Sequence, residues 1–278
     1  MRRRLSGEPS ELVLKPAGSS KLASFCLKGR WTAALKSLKP GLVLDVGAFD
    51  GRDACAFANA NHTVFAFEPS PGKQERIQRM IASCRATARV TLHNVALSNE
   101  SGMATFYVAG RGSQQDQLHA PPWAALDSAT RGIEVPVRTL DETLGSDRRV
   151  AFAKVDAQGH DAQVLRGARR LIESGRMPLF LFEVAPGLSP NAVHEYVQTT
   201  RWLARTGFDC FDCDEDSSRR STQRAQRDGR RMPLEVRMAE LAAQKELFKG
   251  AHHGGYTNFV CQQRRTLAVP GALGLQRA

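Results

Sequence analysis

The chain reads as one open α/β domain built on a mainly parallel sheet. Three observations carry that reading. Short apolar runs alternate with segments of helical periodicity from residue 42 onward, the pattern of strands joined by crossover helices. The first run ends in VLDVGAFDG at 43–51, with an acid and two glycines where a strand must turn into a helix. The second run, TVFAF at 63–67, is followed by Glu68-Pro69, and proline forces an extended conformation on the residue before it.

Residues 1–20 are polar and carry Pro9, Pro16 and Gly18, which describes a flexible arm; the domain spans 21–262, and 263–278 form a C-terminal tail. Ser19-Ser20 would cap a helix over about 21–38, with Leu22, Phe25, Cys26 and Leu35 among its apolar positions, stopped by Pro40-Gly41. Strands follow at 42–47, 63–67 and 90–95. Two β-like segments, about 103–108 and 133–138, interrupt the alternation as a hairpin inserted at about 103–138. Between them GRGSQQDQLHAPPW, at 110–123, is either a lid with glycine hinges or an ordinary surface loop.

VAFAKVD at 150–156 is the fourth core strand; the helix after it has apolar residues at 162, 164, 165, 168, 171 and 172 and stops at Gly175. LFLFE at 179–183 is a fifth strand, buried on both faces. A helix at about 190–206 leads to a sixth strand at 208–213. A basic insert at about 215–233 and a helix at 234–248 precede the last strand, 256–262.

With 278 residues, 42% of them hydrophobic, the chain has enough apolar surface for one large α/β core. No apolar run reaches about 18 residues, and the basic start MRRR has no apolar stretch behind it, so neither a membrane span nor a secretory signal is expected. The expected location is the cytoplasm, with no membrane partner. The six cysteines, at 26, 55, 84, 210, 213 and 261, are too scattered for a disulfide framework or a zinc motif and are expected reduced. Cys210 and Cys213 make the one CxxC, a weak metal or redox signal without a second pair. Net charge is +11, and Arg219, Arg220, Arg224, Arg227, Arg230 and Arg231 crowd one stretch. That stretch would attract phosphates, but it carries no aromatics to stack bases, so a solvated insert explains it more simply.

In an open parallel sheet, ligands sit beyond the carboxyl ends of the strands where the strand order reverses. VLDVGAFDG lies at such an end. Gly47 allows a tight turn, Gly51 allows a backbone to approach a ligand, and Asp45 offers a carboxylate to an ammonium or a hydroxyl. Glu68, 23 residues after Asp45, occupies the position where dinucleotide folds bind both ribose hydroxyls. NAD and S-adenosylmethionine both carry that ribose. The turn discriminates between them: a GxGxxG fingerprint would grip a pyrophosphate, whereas here Phe49 and Asp50 stand where the pyrophosphate would press. Asp50 repels phosphate and tolerates a cationic sulfonium. A tight strand–helix turn with no ligand is the plain alternative.

Five blocks occur in order: LDVGAFDG at 44–51, FAFEPSP at 65–71, LHNVALSNESG at 92–102, VDAQGHDAQVLRGARRLI at 155–172 and FEVAP at 182–186. Together they resemble the FkbM family of S-adenosylmethionine-dependent methyltransferases, over about residues 40–262. The resemblance implies the class I methyltransferase fold, Rossmann-like, with a seven-stranded mainly parallel sheet, an antiparallel last strand and helices on both faces. It also implies S-adenosylmethionine as cofactor and O-methylation of a small hydroxylated molecule such as a sugar or polyketide. On that resemblance Asp45, Gly47 and Gly51 frame the methionine part of the cofactor, Glu68 binds the ribose, and Asn94, Val95 and Ala96 lie near the adenine. Asp156, Gln158 and Gly159 fall beside the site of methyl transfer, and Ser113 matches a serine common in the family's loop. His160-Asp161 departs from the pattern, which usually has a small or aromatic residue followed by Glu.

Methyl transfer to oxygen requires alignment of the acceptor and removal of its proton. His160 is the first candidate for that base, with Asp156 as orienter or alternative and Asp161 as the acid that would orient acceptor or cofactor. An ordinary surface-loop histidine is the competing reading of His160. His93 and His119 are weaker candidates. Glu183 is a strand-end acid or an acceptor ligand, and its spacing from Asp156 does not support a metal site. Two rival functions stand beside this one. The first is a nucleic-acid methyltransferase using the arginine run, against which AQG at 157–159 replaces the NPPY-like loop of adenine amino-methylases. The second is a protein that binds S-adenosylmethionine without turnover.

Overall fold

The computed structural model describes residues 13–16, 25, 31–109, 116–118, 130–188, 191–213, 232–233, 238 and 256–264. The arginine run, Ser113, His119, nearly all of the segment expected as a helix at 234–248, and the tail after 264 lie outside these residues.

The alternation of strands and helices is present. β1 (Val13–Pro16) and α1 (Trp31–Lys36) precede the motif strand β2 (Leu42–Val46). Then come α2 (Arg52–Asn59), β3 (Thr63–Phe67), α3 (Pro71–Ser83) and β4 (Val90–His93). β5 (Ala96–Leu97), β6 (Gly102–Val108), β7 (Arg131–Arg138) and α4 (Leu140–Leu144) lead to β8 (Val150–Val155). α5 (Asp161–Arg166), α6 (Arg169–Glu173), β9 (Leu179–Val184) and α7 (Ala192–Arg205) follow. β10 (Phe208–Asp212), β11 (Met232–Pro233) and β12 (Thr257–Gln263) complete the described order.

The principal sheet has nine strands in the order β11-β1-β10-β12-β9-β8-β2-β3-β4. Its inner run from β10 to β4 is the seven-stranded sheet of the class I methyltransferase fold: β12 lies antiparallel to both neighbours, and the other pairs within the run are parallel. The outer edge corrects the expected arm, because Val13–Pro16 pairs parallel with β10 and antiparallel with β11. A four-residue segment ending in proline gives no periodic signal, and Pro16 stands at the strand's last position, past the two residues that pair with β11.

Strand order reverses between β2 and β8, so their carboxyl ends open a crevice. Alternation along these strands builds one core on each face. Val43 and Phe152 pack with Leu35, Ala54 and Phe57, while Leu44, Val46 and Val155 pack with Leu165, Leu171 and Tyr196. Cover on both faces is why β8 and β9 read as nearly continuous apolar runs.

The expected hairpin is β6–β7, antiparallel, and β5 adds to β7 in parallel to make a second sheet of three strands. The helix expected over 162–172 is divided into α5 and α6 at Gly167, where a Cβ would meet the Ser98 carbonyl oxygen at 1.9 Å. The cysteines also depart from expectation. Cys55–Cys84 and Cys210–Cys261 are disulfides, so Cys210 is joined to its register partner on β12 rather than to the second cysteine of the CxxC. These pairs are 29 and 51 residues apart in sequence, a separation that only the fold closes. No helix among the described residues is long and apolar enough to cross a membrane.

Candidate functional site

At the carboxyl end of β2 the chain turns at Gly47, whose φ of +76° is open to glycine at no steric cost. The amides of Gly47 and Ala48 both donate to the Phe67 carbonyl at 3.0 Å, tying the turn to the end of β3. A Cβ on residue 47 would meet the Asp156 carbonyl oxygen at 1.9 Å, so the turn is also pressed against the end of β8. Phe49 is left-handed as well, with φ +49°, a conformation that costs a non-glycine residue energy. Beside this turn lies a cavity of about 420 Å³, lined among others by Gly47, Phe49, Glu68, Val95, Asp156 and His160.

Glu68 carries the most defined geometry. Its side chain is buried, with Oε1 accepting from the Ser70 amide at 3.0 Å and Oε2 from the Phe49 amide at 3.0 Å. Burial pushes its carboxyl above the ordinary range, opposed by Lys73 and by those two amides. A carboxylate has about four acceptor sites, so two remain for groups in the cavity. Phe49 is thereby explained: its strained turn delivers an N–H to the acid that faces the ligand space.

A charge cluster forms the floor. Asp45 and Lys154 are register partners on β2 and β8, and the Lys154 ammonium lies 3.4 Å from Asp45, 3.4 Å from Asp53 and 3.5 Å from Asp156. Burial pushes the Asp45 carboxyl up to about 7, with Lys154 pulling it back. Burial alone would lower the Lys154 pKa, but the three carboxylates outweigh it and hold the ammonium well above its ordinary value. Three acids against one cation leave the floor net negative. Asp53 and Asp156 line the cavity, whereas Asp45 sits beneath it, and its Oδ2 has no hydrogen-bond partner among the described residues. Lys154 was not singled out from the sequence; its signal was a lone lysine in the apolar strand VAFAKV.

At the end of β8 the chain passes through Gln158, with φ +51°. The Gln158 amide donates to Asp156 Oδ1 at 2.9 Å and to Glu183 Oε2 at 3.2 Å. His160 is only 6% exposed and its Nε2 lies 2.9 Å from Ser98 Oγ, which rules against a surface-loop histidine.

Several expected site residues stand elsewhere. Gly51 does not line the cavity: its φ of +80° starts α2, and its Cβ position faces Ile77 of α3 at 3.2 Å, so its freedom serves helix packing. Asn94 is exposed and outside the lining because the chain bends there between β4 and β5, while Val95 and Ala96 do line it. Asp161 is fully buried behind the cavity, accepting from the Ala157 amide at 3.1 Å and from the Tyr196 hydroxyl at 3.5 Å. It fixes the loop rather than touching the ligand space; burial, reinforced by Asp156, raises its carboxyl to about 7. His93 stacks on Phe67 at 4.8 Å and is outside the lining, with burial and Arg148 lowering its pKa. Asp50 lines the cavity but pairs with Arg52 and Arg76, at 3.3 and 3.2 Å. Lys73, Phe106, Asp116 and Leu118 complete one wall; Asp116 and Leu118 belong to the 110–123 segment read as a lid or a loop, whereas Lys73 and Phe106 carried no signal in the sequence. Among the described residues no cluster of side chains suited to a metal ion forms.

Comparison with known proteins bears on this arrangement. A hexuronic acid methyltransferase, AglP, of Haloferax volcanii is 28% identical over 156 residues, covering 54% of this chain and 58% of that protein. Methyltransferase 1 of Beauveria bassiana is 31% identical over 123 residues, covering 38% and 48%. The chain spans about half the length of the curated relatives it matches. The crystal structure of a methyltransferase FkbM from Methylobacillus flagellatus superposes with a TM-score of 0.44 at 16% identity, over 72% of this chain and 44% of that one. The methyltransferase FkbM domain model matches residues 45–210, which run from the acid of the first turn through β8 and β9 to β10. With the turn, the strand-end acid and the matched domain lying on one stretch of sequence, the chain belongs to the FkbM methyltransferase family.

Proposed function

We propose that this chain transfers a methyl group from S-adenosylmethionine to a hydroxyl of a small molecule, a sugar, polyketide or related metabolite. The observation that carries the proposal is Glu68, a buried carboxylate held by two backbone amides with acceptor sites to spare at the edge of the cavity. Vicinal ribose hydroxyls are the donors that such an acid suits. The rest of the lining fits the same cofactor. The backbone turn at Gly47 lines the cavity and suits a flexible aminoacyl chain, and the net negative floor suits its ammonium and the sulfonium. Val95 and Ala96 offer apolar contact to a base.

When bound, S-adenosylmethionine supplies an electrophilic methyl on a positively charged sulfur. The residues of this chain then have three tasks. Glu68 and the Gly47 turn fix one end of the ligand. Asp53 and Asp156, with Lys154 between them, hold the positive charge near the ends of β2 and β8 and relax as that charge is lost. His160 takes up the acceptor's proton as its oxygen gains the methyl, and Ser98, at 2.9 Å from Nε2, orients the ring. Asp156, which lines the cavity, orients the acceptor hydroxyl. Asp161 and Gln158 hold the loop that carries His160. The Haloferax volcanii relative, a hexuronic acid methyltransferase, supports a sugar-like acceptor.

The test is incubation with methyl-labelled S-adenosylmethionine and fractionated cell extract, following the label. Label in a small metabolite, lost with His160→Ala while donor binding persists, supports the proposal. Label in RNA or DNA overturns the acceptor class, tight donor binding without transfer to any fraction points to the non-catalytic alternative, and no donor binding overturns the cofactor.

A further inference from the structure

One wall of the cavity brings helix α3 against the segment beside β6, and an ion pair joins them. Lys73 lies in the first turn of α3, next to the Glu68 strand end, and its ammonium is 2.8 Å from Asp116 Oδ2. The two side chains are 14% and 3% exposed, so the pair is nearly dry and screened little by salt. Asp116 is held from the other side: its Oδ1 accepts from the Ala109 amide at 3.0 Å, at the exit of β6. Gln117 then pairs with Tyr107 of β6 through two backbone bonds, of 2.8 and 3.0 Å, and Leu118 packs into the apolar cluster around Phe106. Lys73 also lies over the Phe49 ring, 4.9 Å from its centroid. One cation therefore touches the strained residue that presents an N–H to Glu68 and the acid that anchors the second sheet.

We infer that Lys73 and Asp116 are a positioning pair for the methyl donor: they dock residues 116–118 of the hairpin sheet onto the Gly47–Glu68 turn, and so set the width of the donor cavity. The inference rests on the proposed donor site, but the docking itself does not. Lys73 pairs with Asp116, and its charge also favours the ionised form of the nearby buried Glu68, so removing it leaves Asp116 without its cation and releases the wall. Removing the charge of Asp116 frees Lys73 to approach Glu68 and draws it onto the acceptor sites that the ribose needs. Either change weakens donor binding, through different faults.

Two measurements on the full chain test this. The first is equilibrium binding of S-adenosylmethionine and of its neutral product S-adenosylhomocysteine to the wild type, Lys73→Met, Asp116→Asn and the exchanged double variant Lys73→Asp/Asp116→Lys. Each single change is expected to weaken both ligands about tenfold, and the exchanged pair to recover most of that loss, since its charges still meet. The second is amide hydrogen exchange at Tyr107 and Gln117 in ligand-free protein, expected to quicken about tenfold in both single variants while amides of β8 and β9 stay protected. Unchanged exchange at Tyr107 and Gln117 in both single variants overturns the docking role. Quickened exchange with unchanged donor affinity overturns the positioning role and leaves a structural tie. A wild-type chain that binds neither ligand sinks the donor site instead, and the exchange result still reads the pair.

Discussion

Glu68 uses two acceptor sites on the backbone and offers the others to the cavity, so its replacement removes the proposed ribose contact together with the cap on Phe49. Glu68→Ala is expected to weaken S-adenosylmethionine binding about 100-fold, measured by calorimetry; unchanged affinity would mean that another acid holds the ribose. Asp161 makes a different prediction. Its folded pKa, about 7, lies above the unfolded value of 3.8, so the fold holds this proton more tightly than the unfolded chain does. The stability linked to it is full below about pH 4 and is lost as pH rises to about 7, then stays constant. Asp161→Asn keeps an acceptor for the Ala157 amide and removes that titration. The variant should gain stability relative to wild type between about pH 4 and 7 in urea unfolding, and a pH-independent difference would refute the buried neutral acid. Glu68 and Gly47 were legible in the sequence because a strand end fixes where they point. Asp161 was not: its place in the motif sets it one residue past His160, but the turn through Gln158 and Gly159 sends the two side chains to opposite sides of the loop.

At the level of elements, β2, β3, β8 and β9 were readable because they are covered on both faces and their apolar runs are nearly continuous. The outer strand and the insert were less so: Val13–Pro16 has four residues and a proline, and the strand expected over 90–95 ends at His93, before the chain enters the second sheet as β5. The break between α5 and α6 has a cause that no helical periodicity reveals, the passage of the Ser98 carbonyl against Gly167. That contact ties a helix junction to the candidate base. Gly167→Ala should displace Ser98, lengthen its 2.9 Å contact with His160, and cost about 2 kcal/mol of stability. Methyl transfer should fall while donor affinity holds within about threefold, because the Glu68 end is untouched. Equal losses in binding and turnover would show that the two ends of the cavity are not independent.

For the whole molecule, the disulfides are the largest departure from the sequence reading, which had only linear spacing to use. Peptide mapping of protein kept from reductant should recover the linked pairs Cys55–Cys84 and Cys210–Cys261. Each such link contributes about 3 kcal/mol, so full reduction should lower the melting temperature by roughly 8 °C or more. Free thiols at those positions would restore the reduced state first expected. Such links persist mainly in oxidising compartments, so mapping of protein taken directly from cells also tests the expected cytoplasmic location. The strand that joins β9 to β10 is β12, the last of the described strands along the chain. Until residues 257–263 leave the ribosome, β9 and β10 face an open slot with two unpaired edges. The sheet closes only when this middle strand enters between β9 and β10, and until then two open edges are available for pairing with another chain.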